Sequence, residues 1–102
     1  MNKDSINVRD SVGATRLFEA VSDNNIKEVK LLLSKGADPN VPENNGITPL
    51  MDAASGGDLA MVKLLLKHGA KADLKDNFGS DAINYAESQG YGKVVTYLRS
   101  IK

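Results

Sequence analysis

A chain of 102 residues has room for one domain with a single modest core. Thirteen basic and thirteen acidic residues cancel, which argues against a nucleic-acid surface, and the absence of cysteine excludes disulfides, thiolate chemistry and cysteine-built zinc sites. The opening MNKDSINVRD lacks the apolar stretch of a signal peptide, and no apolar run approaches the ~20 residues of a membrane span, so a cytoplasmic chain is expected.

Residues 1–12 carry no strong helical pattern, but IleAsnValArgAsp at 6–10 aligns with ProAsnValProGlu at 39–43. They are either a leading loop of the kind that recurs later or a tail. From residue 13 the chain repeats itself: Gly13, Gly46 and Gly79 are spaced 33 residues apart. The units beginning at Gly13 and Gly46 share 13 of 33 positions without a gap, among them Thr15/Thr48, Leu17/Leu50, Ala20/Ala53, the LLL triplets and Gly36-Ala37/Gly69-Ala70. Drift within one amphipathic helix would not keep glycine, threonine and alanine in register over a whole period.

Each unit has its own punctuation. Thr15, Thr48 and Asp81 are N-cap types, whose side-chain oxygen accepts an unpaired N–H at a helix start. Pro49 fits the first helical position, where its missing N–H costs nothing. Leu50, Ala53 and Ala54 form a short apolar stripe before Gly56-Gly57 ends the first helix. A second amphipathic helix follows in LAMVKLLLKHGA, with Leu59, Val62, Leu65 and Leu66 at helical spacing and Gly69 beyond its end. Neither helix is long enough to be stable alone, so neighbouring units must share their apolar faces.

This 33-residue pattern resembles the ankyrin repeat, on GITPL at 46–50, Ala53-Ala54, Gly57, the LLL–GA run from Leu64 to Ala70, and GADPN at 36–40. The resemblance implies an all-α solenoid of paired antiparallel helices with short β-hairpin-like finger loops. Its segments are 1–12, a first repeat 13–45 of N-terminal capping type, a second 46–78, and a third 79–102 of C-terminal capping type. Arg16 and Ala82 replace the family's proline, while Phe18, Met51 and Asn84 replace the histidine that ties neighbouring turns, so that tie is absent. Asn45-Gly46 independently favours a tight turn.

Catalytic and metal readings find little support. His68 is the sole histidine, at the polar end of a second helix, where a cation is mildly favourable. No metal, cofactor or small-molecule substrate is expected, because neither a GxxxxGK[ST] nor a GxGxxG loop nor EF-hand spacing occurs. Glu19, Asp23 and Asp52 fall on the polar side of the first helices, with Tyr85 at the position equivalent to Glu19 and Asp52. Paired carboxylates serve acid–base catalysis only with a pocket that separates their pKa values, and no such pocket is implied. The lysines Lys27, Lys30, Lys35, Lys63, Lys67 and Lys93, with Arg99, map to second helices, and no aromatic residue interleaves them for base stacking.

By resemblance, a protein partner contacts the fingers through Arg9, Val12, Asn44, Asn45, Ile47, Lys75, Asn77 and Phe78. On the groove face the resemblance adds Glu19, Asp23, Asp52, Tyr85 and Gln89. Phe78 and Tyr85 have alternatives, packing against the local hairpin and the C-terminal helix respectively. The expected function is that of a monomeric, non-catalytic protein-binding module, the competing one that of a self-associating structural spacer.

Overall fold

The computed structural model describes residues 3–101; Met1, Asn2 and Lys102, at the outer ends of the first and last segments, lie outside them. A short 3₁₀ helix, Lys3–Asn7, precedes six α-helices: α1 (Arg16–Ser22), α2 (Ile26–Ser34), α3 (Pro49–Gly56), α4 (Leu59–Lys67), α5 (Ala82–Gln89) and α6 (Gly92–Ser100). No strand occurs among the described residues. The architecture is all-α, as the repeat pattern implies.

The three first helices start as the sequence predicts. Thr15, Thr48 and Asp81 are extended in backbone, and their side chains accept from the N–H of Phe18, Met51 and Asn84. Asn84 also accepts from the Asp81 N–H, closing a reciprocal cap at a position where the family pattern has histidine. Gly57 and Gly90 end α3 and α5 in the left-handed conformation. Asn24 holds the same place after α1, with φ 55°, and asparagine is the non-glycine residue that best tolerates it.

α3 lies between α1 and α5, packed against both, and each first helix packs on its own second helix except that α1 also meets the 3₁₀ helix. The alanines Ala20, Ala53, Ala54, Ala82 and Ala86 are buried and permit this close approach. Leu17, Leu50, Val29, Val62, Leu65 and Leu98 complete one continuous core running through all three helix pairs. Ile6 of the 3₁₀ helix packs on its N-terminal end. Asparagine ties link successive units: Asn7 Oδ1 accepts from Asp38 N–H at 2.9 Å, and Asn40 Oδ1 accepts from Lys71 N–H at 2.9 Å. Asn40 also donates to the Gly69 carbonyl at 3.0 Å.

At the C-terminal end the chemistry of the same positions changes. Met51, Ala54 and Leu66 of the second unit correspond to exposed Asn84, Glu87 and Arg99 of the third. Arg99 bonds Glu87 at 2.5 Å, laying an ion pair across α5 and α6 where an apolar face would invite another unit.

Leu65 is fully buried and Leu32 nearly so, so Leu65→Ala or Leu32→Ala should each cost roughly 2–5 kcal/mol by leaving a cavity. Urea unfolding followed by circular dichroism checks this, and a loss below about half a kcal/mol would place neither leucine in a tightly packed core.

Candidate functional site

The loops between helix pairs end in three fingers built on one plan. A backbone pair closes each: Asp10 N–H to Ala14 O, Glu43 N–H to Ile47 O and Asp76 N–H to Ser80 O, all at 2.9 Å. Within each closure one carboxylate oxygen takes two further backbone donors. Asp10 Oδ1 accepts from Val12 and Ala14, Glu43 Oε1 from Asn45 and Ile47, and Asp76 Oδ1 from Phe78 and Ser80. The fingers are hairpin-like turns held by an acidic side chain, not two-stranded hairpins.

The fingers also stack. Asn44 N–H donates to the Val12 carbonyl at 3.0 Å, and Asn77 N–H donates to the Asn45 carbonyl at 2.9 Å. The carboxamides reinforce this, Asn77 Nδ2 reaching the Asn44 carbonyl at 3.1 Å and Asn44 Nδ2 the Ser11 carbonyl at 3.4 Å. Glycine is required beneath these contacts: at Gly13 and Gly46 a Cβ would stand 2.3 Å and 2.6 Å from the Oδ1 of Asn44 and Asn77. Both glycines also have φ of +82°.

Of the residues expected to meet a partner, Arg9, Asn44 and Asn77 are thus engaged within the finger stack; Arg9 Nε donates to the Gly13 carbonyl at 2.9 Å. Val12 and Phe78 project, 58% and 82% exposed, so Phe78 does not pack against its own hairpin. Asn45 and Lys75 are exposed at the fingers, and Ile47 is half-buried.

On the first helices, Glu19, Asp23 and Gln89 are exposed, while Asp52 and Tyr85 are half-buried. Asp52 Oδ2 accepts from Ser22 Oγ at 2.8 Å, beside a cleft of about 330 Å³ between α1 and α3 that Ser55 and Asp58 also line. That brings the carboxylate to a serine hydroxyl and not to a second carboxylate, and no group of at least three histidine or carboxylate side chains poised for a metal occurs among the described residues. His68 is the exposed C-cap of α4.

Of the row Glu19, Asp52, Tyr85, the first and last reach the finger acids Asp10 and Asp76, whereas Asp52 turns to Ser22. The Tyr85 hydroxyl donates to Asp76 Oδ2, and its ring packs, partly buried, against the core. Burial first, then the Asp76 carboxylate, push the Tyr85 pKa up to about 12, while the Tyr85 hydroxyl and then the backbone donors hold Asp76 below its usual range. In the first unit the Asp10 side chain, hydrogen-bonded to Glu19, raises the Glu19 pKa, and the Ala14 N–H above all lowers that of Asp10. Sequence reasoning missed the finger acids as a set, although residues 10, 43 and 76 share the 33-residue spacing of the glycines.

A family model described as ankyrin repeats, in three copies, matches residues 17–102. No curated protein matches the chain. Ankyrin repeats are in general protein–protein interaction modules and in general non-catalytic.

Tyr85→Phe removes a donor to a carboxylate and should cost about 1 kcal/mol near neutral pH. Because the folded Tyr85 pKa lies above the ordinary value of 10.0, the bond's contribution is complete below pH 10 and disappears as pH rises toward 12. Asp76 acts oppositely: its depressed pKa contributes above the ordinary value of 3.8 and is lost as pH falls. The stability gap between wild type and Tyr85→Phe should therefore close at both extremes, measured by denaturant unfolding across pH; a constant gap would exclude the bond.

The glycines give a separate test. Gly79 has φ +87° but open space around its would-be Cβ, so Gly79→Ala should cost roughly 1–2 kcal/mol of backbone strain. Gly46→Ala carries the same strain and also meets Asn77, so it should melt distinctly lower; equal melting temperatures would disprove the finger contact.

Proposed function

The chain belongs to the ankyrin-repeat family, and from that premise we propose that it is a non-catalytic module that binds a protein partner through its finger tips and the groove face of its first helices. The observation that carries this reading is Phe78: a large aromatic side chain, 82% exposed, on a finger whose backbone is fixed by Asp76. An exposed aromatic on a fixed backbone loses little backbone entropy on docking and is the residue type that anchors interfaces. The contacting surface in this proposal is Val12, Asn45, Lys75 and Phe78 at the fingers, with Ile47 behind them. Glu19, Asp23, Asp52, Tyr85 and Gln89 supply the groove. Arg9, Asn44 and Asn77 contribute by holding the fingers in register.

The units of this module are taken as 13–45, 46–78 and 79–102, led by 1–12. The polar end formed by Asn84, Glu87 and Arg99 supports a monomer over a self-associating spacer. Among the described residues no helix is long and apolar enough to cross a membrane. A cytoplasmic location belongs to the proposal and is supported by the cysteine-free composition.

The test is capture from host lysate, read by mass spectrometry, with wild type and an Asp52→Lys/Phe78→Ala variant first shown to be folded. A protein held by wild type and weakened at least about tenfold in the variant is the expected result. Equal capture by both would move the interface to the lysine-bearing second helices and overturn the proposal.

A further inference from the structure

Among the described residues the contact surface of the third finger is unfilled. Each finger offers the next one two acceptors, the carbonyls at residues 11 and 12 of the first finger and at 44 and 45 of the second. The second finger occupies the first pair through the N–H and carboxamide of Asn44, and the third occupies the second pair through those of Asn77. The third finger presents the equivalent pair, the carbonyls of Asn77 and Phe78, and neither accepts a hydrogen bond from any described residue. The space for an occupant is present as well. A Cβ at Gly13 or Gly46 would collide with the following asparagine, whereas around Gly79 nothing stands within 4 Å.

Resting on the partner-binding reading above, we infer that this edge receives a turn of the partner protein as a fourth finger. The turn donates a backbone N–H to the Phe78 carbonyl and an asparagine-type carboxamide N–H to the Asn77 carbonyl. The two finger contacts inside the molecule define the chemistry of the third, since the same acceptors recur on the same acid-clamped scaffold. The occupant is another protein and not a second copy of this chain. In a second copy the finger free to dock is the first, where Ser11 stands in place of Asn44 and Asn77 and has no carboxamide to donate. Beneath the third finger, the exposed Asn84, Glu87 and Arg99 oppose the apolar stacking that a second copy's helices would need. Phe78, at the tip of the same finger, adds apolar area that two hydrogen bonds alone lack.

The probe is a cyclised peptide of the chain's own third finger, KDNFGSD, added to the isotope-labelled full chain and followed by amide NMR. Binding in the millimolar range should shift the amides of residues 77–80 and leave α1 and α3 unmoved. Replacing the peptide's asparagine with alanine should weaken it at least threefold. Gly79→Asn, a residue that tolerates positive φ, places a Cβ in the edge and should abolish the shifts in a chain that melts cooperatively. Shifts confined to the first helices, shifts that survive Gly79→Asn, or none at about 5 mM peptide would overturn the inference. Mass that rises with concentration and returns to monomer in Gly79→Asn would assign the edge to a second copy and overturn the chosen occupant. If lysate capture fails with Asp52→Lys/Phe78→Ala yet persists with Gly79→Asn, partner binding stands and the fourth finger falls.

Discussion

Helices of seven to nine residues do not persist in water by themselves, because each must recover the cost of nucleation over barely two turns. Every other feature of this molecule answers that constraint. The first helices meet through alanine, which lets their backbones close on one another, and the second helices supply leucine and valine to the same continuous core. A helix pair here has no interior of its own. Its stability is a property of its contact with the next pair, so the molecule is linear in its energetics as well as in its shape.

The outer face of the third helix pair differs from the inner ones by substitution at fixed positions. Ala54 is fully buried between neighbours; its counterpart Glu87 is exposed and paired with Arg99. Met51, buried with its sulfur accepting from the Thr48 N–H, becomes Asn84, which keeps the cap through its amide oxygen but is exposed and fills no core. At the other end the 3₁₀ helix delivers Ile6 to the core and Asn7 to the loop of the first unit, repeating there what Asn40 does one unit later. The backbone plan is constant, and the side chains decide which faces are apolar.

Much of this was legible in the sequence because the signals are local and periodic. Gly13, Gly46 and Gly79 announce the unit length, and Thr15, Thr48 and Asp81 announce the helix starts, since caps and positive φ constrain residue type within a few positions. The finger acids were not read, for the opposite reason. Asp10, Glu43 and Asp76 lie among many exposed charges, and nothing local separates a carboxylate clamping two backbone donors from one in solvent. Their 33-residue spacing was the available signal. Asn44 and Asn77 read as contact residues because they sit at fingertips, yet their N–H groups and carboxamides face the neighbouring finger. Phe78 was ambiguous in sequence because packing inward and projecting outward both suit an aromatic in a turn. Only its neighbours in space decide between them.

The same distinction between scaffold and surface lets one backbone plan present different side chains at equivalent places. Residues 19, 52 and 85 occupy equivalent places beside the finger acids but hold glutamate, aspartate and tyrosine. Tyr85 donates to Asp76, whereas Glu19 meets Asp10 as one carboxyl beside another, and Asp52 turns to Ser22. One backbone thus sets three different chemistries in a row along the groove, beside a row of tips that reads valine, asparagine, phenylalanine. The stack fixes their spacing, and the fingers fix their direction. In the proposed interface the selecting side chains differ at equivalent places, while the glycines at 13, 46 and 79 and the finger acids at 10, 43 and 76 that hold them keep their kind from unit to unit.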